Sequence, residues 1–276
     1  MANSIAKVTQ YLADPANLNA VYKASALTQD LEANEVKFIG ANIVKLPKFS
    51  FGGALGTYNR ATGHVANDIT KAWDTYTLSQ DKGNKILLDK MDDEESGAEG
   101  IIKAFNEYLR QVVVPAVDTY RFSTLVSNAG TTVEETSTAA NIIDQLEAGF
   151  KSFEENEVPV EGSIIYMTPA TKSFLQLSSD LSRYVSYGTF NGQIDNRVMY
   201  FNGAKIVTVP SSRLGTDIQF ILVQPKSVLS CVKHNPSKFW AEIPGLDASQ
   251  IDFRLYYDLF VIANKNKGVY VQDATA

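Results

Sequence analysis

Between Tyr76 and Phe122 the chain reads YTLSQDKGNKILLDKMDDEESGAEGIIKAFNEYLRQVVVPAVDTYRF: an extended run, an acidic hinge, and a long amphipathic helix with a proline inside it. Ile101, Ile102, Phe105, Leu109, Val112 and Val113 recur at helical spacing and predict one apolar face. Asp92 to Glu95 stand before the helix, where carboxylates suit the macrodipole and the free N–H groups. Pro115 removes one backbone hydrogen bond and predicts a kink or a restart. Upstream, Val36 to Phe51 favours extended structure, and Pro47 confines it to an edge or a bulge. Residues 52–72 form a tip made sharp or flexible by Gly52, Gly53, Gly56 and Gly63. Tyr76 to Leu88 then returns as a second extended run, broken at Asp81-Lys82-Gly83-Asn84. A two-stranded excursion is marginal on its own in water, so it needs a surface to lie on. Another copy of the same chain supplies one, and the feature points to assembly rather than catalysis.

Composition narrows the classes. With 276 residues, 45% of them hydrophobic and 20% charged, the chain can bury one large core or two modest ones. A net charge of −6 argues against an electrostatic nucleic-acid binder, which needs a basic surface to displace counterions. Residues 1–90 hold ten Lys/Arg and eight Asp/Glu, whereas residues 91–276 hold 15 and 23, so the balance passes from +2 to −8 near Met91. That shift marks a boundary between an excursion and a main body. The single cysteine, Cys231, excludes an intrachain disulfide framework and a multi-cysteine zinc site, and its neighbours Val228, Leu229 and Val232 predict a buried thiol. No apolar run approaches the ~20 residues that span a bilayer. The N-terminal SIAKVTQYLADPANL is broken by Lys7, Gln10 and Asp14 and carries no signal-peptide core. The expectation is a soluble protein made in a reducing cytoplasm, with no membrane partner.

The rest of the chain alternates helix and strand. Asn17 to Leu31 has helical periodicity within an N-terminal arm. Thr136 or Ser137 can cap a helix over 138–156, which Val158-Pro159 ends. Ser163 to Met167 reads as a buried strand, and Pro169 opens a short helix through Leu177. Ser178 to Asn196 is polar and aromatic and reads as an exposed loop. Asn202-Gly203 is the strongest hairpin signal, joining Arg197–Phe201 to Ala204–Val209. Ile218–Val223, Ile251–Val261 and Lys267–Gln272 read as further strands.

Chemistry-bearing motifs are sparse. His64 lies on the glycine-rich tip and His234 precedes Asn235-Pro236, so neither sits in a pattern that would serve a serine or cysteine nucleophile. Cys231 and His234 stand three apart and read best as a buried thiol beside a surface histidine. Ser79 and Lys82 match S-x-x-K without its companion motifs. Phosphate-binding, dinucleotide, zinc-protease and EF-hand signatures are absent from the sequence. Asp92 to Glu95 read as a helix cap rather than a metal site, and the 13 Tyr, 14 Phe and 2 Trp as core rather than base-stacking residues. No cofactor is expected.

LSQDKGNKILLDKMDDEE followed by FNEYLRQVVVPAVDTYRFSTL resembles the loop-to-spine passage of major capsid proteins of tailed bacteriophages, particularly those of Gram-positive hosts. Their shell fold is shared with encapsulins. The resemblance implies an α+β fold with an N-terminal arm at 1–35, an extended β-loop at 36–90, and a peripheral domain with a long spine helix at 91–129. An axial α/β domain at 130–230 and return strands at 231–276 complete it. It implies a non-enzymatic homo-oligomer whose hexamers and pentamers close into an icosahedral head, assembled in the host cytoplasm. The head encloses double-stranded DNA without sequence-specific binding. A separate scaffolding protein, a portal and decoration proteins are the further partners it suggests. The loop tip would meet a neighbouring subunit through Gly52, Gly53, Leu55, Tyr58, Arg60, His64 and Trp73. The spine would present Ile101, Phe105, Leu109, Val112 and Pro115 to the core. The alternatives are an encapsulin-like cellular compartment and an unrelated α/β enzyme or binding protein using His64, His234 and Cys231.

Overall fold

The computed structural model describes residues 25–32, 43–53, 56–58, 60, 64, 69–89, 91, 100–178, 185–190, 193–234, 237–240 and 242–274. Asp92 to Glu95, Leu55 and most of the arm lie outside them. A long helix organises the rest. It runs as α1 (Gly100–Tyr108), a π turn (Leu109–Val113) and α2 (Val114–Ser127). The Val114 N–H reaches back to the Leu109 carbonyl, five residues away. Pro115 accounts for this geometry. It has no N–H to give and its ring crowds the preceding turn, and a π turn relieves both without breaking the helix.

The extra residue in that turn rotates the face that follows. Phe105, Leu109, Val113, Val114 and Val117 are buried, while Val112 is 49% exposed. Placing Val112 in the core assumed an unbroken 3.6-residue period and is corrected here. Pro115 is half-buried, and the Ile101 side chain lies outside the described set.

Two sheets flank the helix. The first is built on the 14-residue β12 (Ala248–Val261), with β3 (Gln80–Asp89) along one side and β10 (Val228–His234) and β11 (Lys238–Trp240) along the other, all antiparallel. Phe105, Leu109, Val113 and Val117 pack on its Ile251, Leu255 and Tyr257. The second has seven strands in the order β4-β13-β9-β5-β8-β7-β6. These are β4 (Thr131–Glu134), β5 (Ile164–Met167), β6 (Val185–Phe190), β7 (Gln193–Phe201), β8 (Ala204–Thr208), β9 (Ile218–Val223) and β13 (Val269–Asp273). Its central strands are apolar on both faces because both are covered. Ile165, Met167, Phe220, Leu222 and Tyr270 pack under α3 (Ile142–Glu155) and α4 (Pro169–Leu177). Ile164, Tyr166, Ile221, Val223, Val269 and Val271 pack on Phe122 and Leu125 of α2. The long helix thus covers the first sheet with its N-terminal half and the second with its C-terminal half.

Several expected elements are placed differently. The run Tyr76–Leu88 was expected to break at Asp81-Lys82-Gly83-Asn84, but β3 runs straight through those residues and the division falls at Leu78-Ser79. β2 (Ile69–Thr77) returns against β1 (Ile43–Phe51), and β3 joins the body sheet. No glycine or proline marks that corner; its signal is tertiary. The backbone N–H of Ser79 donates to Asp258 Oδ2 at 2.7 Å, and Tyr120 of α2 donates to Asp258 Oδ1 at 2.8 Å. The expected loop at Ser178–Asn196 contains the strands β6 and β7, paired as a hairpin. Asn202 (φ 46°) and Gly203 (φ 80°) form the two-residue turn read from the sequence, with both residues left-handed as a type I′ turn requires. Asn141, rather than Thr136 or Ser137, stands at the start of α3.

Candidate assembly surface

β1 and β2 pair over nine residues each, from Ile43↔Thr77 to Phe51↔Ile69, and make a ribbon roughly 30 Å long. Directly paired residues share a face. One face carries Val44 and Leu46 opposite Tyr76 and Asp74, and at its base it sits on the body. Val44 and Leu78 pack there with Leu229 and Cys231, and the Tyr76 ring lies 5.1 Å from Phe260. Farther out, Lys48 pairs with Asp74 at 3.8 Å.

The opposite face has no such seat. It presents Pro47, Phe49, Ile69, Lys71 and Trp73, of which Phe49 is 54% exposed, Ile69 66% and Trp73 53%. The Lys71 ammonium lies 4.9 Å from the Trp73 ring centroid and 5.8 Å from that of Phe49. One ammonium thus serves both rings by cation–π attraction, and with Ile69 they make an exposed apolar platform. Covering each of these apolar side chains would contribute on the order of 1–2 kcal/mol, because about half of each is still wet.

The tip residues named from sequence fall in two groups. Gly52, Gly53, Tyr58, Arg60 and His64 are exposed, and the Tyr58 and His64 rings sit 4.9 Å apart. Leu55 lies outside the described residues. Trp73 lies not at the tip but in mid-strand, opposite Pro47. Sequence reasoning missed Phe49, Ile69 and Lys71. Their signal was present as alternation: Pro47 and Phe49 on one strand, and Ile69, Lys71 and Trp73 on the other.

Of the residues considered for catalysis, Cys231 and His64 have described side chains, one buried in the body and the other exposed on the ribbon. Cys231 is 1% exposed in β10, where burial first and the Asp258 carboxylate second push its thiol up to about 11. A thiol so held is protonated at neutral pH and is a poor nucleophile. His64 is exposed on the ribbon, and the His234 side chain lies outside the described residues. Among the described residues no three His, Cys, Asp or Glu side chains group as metal ligands. No helix among them is long and apolar enough to cross a membrane.

A β-ribbon, a long helix shared by two sheets and a mixed seven-stranded sheet match the shell fold of tailed-phage major capsid proteins and encapsulins. The chain superposes on the capsid of cyanophage P-SCSP1u with a TM-score of 0.65 at 12% identity, covering 90% of this chain and 87% of the other. The mature capsid of bacteriophage PhiM1 gives 0.63 at 14% identity, with 85% and 82% covered. The SrpI encapsulin complex of Synechococcus elongatus PCC 7942 gives 0.55 at 13% identity, with 86% and 83% covered. No protein-family model and no curated protein sequence matches the chain.

Proposed function

We propose that this chain is a major capsid protein. Copies assemble into pentamers and hexamers, and these close into the icosahedral head that encloses the double-stranded DNA of a tailed bacteriophage. The observation that carries the reading is a capsid-type fold with a ribbon whose aromatic face the other described residues leave uncovered. In this reading residues 1–35 are the arm, 36–90 the extended loop, 91–129 and 231–276 the peripheral domain, and 130–230 the axial domain. The Ser79–Asp258 corner is where the loop is fastened to the body. The protein works by self-association and not by catalysis, within the virion, after assembly in the host cytoplasm. A separate scaffolding protein, a portal and decoration proteins are its further partners. A net charge of −6 suits a container whose wall should not grip its DNA. The likeness to an encapsulin favours a second reading, a cellular compartment shell around an enzyme cargo.

Negative-stain electron microscopy with sedimentation of the purified protein tests both. Closed shells, or rings of five or six, are expected. Nucleic acid inside particles from the native source selects the virus, and a protein cargo selects the compartment. A strictly monomeric protein at high concentration, with its scaffold supplied, overturns the shell reading.

A further inference from the structure

Residues 25–32 lie where three parts of the fold meet. Ala26 packs against the cluster of Phe105, Val113 and Val117, whereas Leu27 and Leu31 pack against that of Phe122, Ile221 and Val269. Between these contacts the segment is held by charge and hydrogen bonds. Thr28, fully buried, donates to Asp118 Oδ1 at 2.7 Å and accepts from Arg121 Nη1 at 2.6 Å. The Leu27 N–H donates to Asp118 Oδ2 at 3.2 Å, and Glu32 accepts from Arg121 Nη2 at 3.0 Å. Arg213, on the short helix α5 (Ser211–Leu214), reaches Asp118 Oδ2 at 3.3 Å. Toward solvent, Asp30 pairs with Lys205 of β8 at 2.5 Å, and Glu32 bridges to Ser230 of β10.

Asp118 and Arg121 are both 0% exposed, one helical turn apart on α2. Lifting the segment away takes Thr28 and Glu32 from Arg121, and Thr28 and Leu27 from Asp118. A buried charge stripped of partners is strongly disfavoured, whereas an apolar plug could peel off gradually. The cluster therefore makes partial detachment the worst arrangement. We propose that residues 25–32 are a two-state strap: closed, it locks the middle of α2 between the two sheets; open, it frees that turn of helix and the strap as one unit. The inference does not depend on the shell reading.

Hydrogen–deuterium exchange on the unassembled protein tests it. In the wild type, the strap and the Asp118–Arg121 turn should open together, faster than β5 and β9. Thr28→Val and Glu32→Gln should each speed exchange of both segments by about tenfold while leaving β5 and β9 within about twofold. Glu32→Gln keeps side-chain length and an acceptor, so it carries the test alone if Thr28→Val fails to fold. Equal acceleration in β5 and β9 would make the segment ordinary core and overturn the proposal. Strap amides that exchange in the wild type like an unstructured peptide would overturn it as well.

Discussion

Val112 and Val113 are neighbours with opposite environments, and the difference rests on one extra residue in the turn before Pro115. Val112→Asp should change unfolding free energy by no more than about 0.5 kcal/mol, as exposed substitutions do. Val113→Asp puts an unpaired carboxylate among Phe105, Leu109 and Leu255 and should cost about 3 kcal/mol or more. Urea unfolding of the two variants measures both, and equal costs would place the π turn elsewhere. Cys231 gives a pH dependence of known sign. Its folded pKa is raised to about 11, so the folded state holds the proton longer than the unfolded one. Its contribution to stability is complete below about pH 8.5 and is lost as pH rises toward 11. Cys231→Ala should flatten that alkaline limb in a pH series of urea titrations; an unchanged slope would show that the tyrosines alone produce it.

At the scale of elements, the ribbon separates folding from association. Phe49→Ser with Trp73→Ser removes the platform from a face that the chain itself does not cover. Thermal stability should stay within about 1 kcal/mol of wild type while the assembled fraction in sedimentation falls severalfold. Normal particles from this variant would move the contact surface elsewhere. Elements were legible wherever local periodicity and local burial agree. The Asn202-Gly203 turn, β5 and β9 fall where the sequence placed them, because each is specified within its own residues. The division of Tyr76–Leu88 was not legible, since Asp258 and Tyr120, far along the chain, fasten the corner. β6 and the start of β7 were read as a loop because their polar, aromatic composition lacks the apolar alternation that marks a half-buried strand, whereas Arg197–Phe201 was read as a strand. Of the ribbon platform, only Trp73 was named. A two-residue alternation shared between two strands becomes visible only when their register is known.

For the molecule as a whole, the shell fold was readable from the order of its parts, while the union of those parts was not. The long helix serves both sheets, and β12 contributes Ile251 and Leu255 to one cluster, Leu259 to a second and Phe260 to a third. β3 waits about 170 residues for its partner strand, and β13 enters the second sheet between β4 and β9, beside segments made long before it. Contacts of such span are slow to form because their loop entropy must be met first. A ribosome must therefore have synthesised as far as Val261 before the first sheet can close, and as far as Asp273 before the second. Until Asp258 is made the corner that aims the ribbon lacks its anchor, and a nascent chain cannot present its platform in the finished orientation. Synthesis of β12 thus sets the earliest moment at which the ribbon takes its finished orientation.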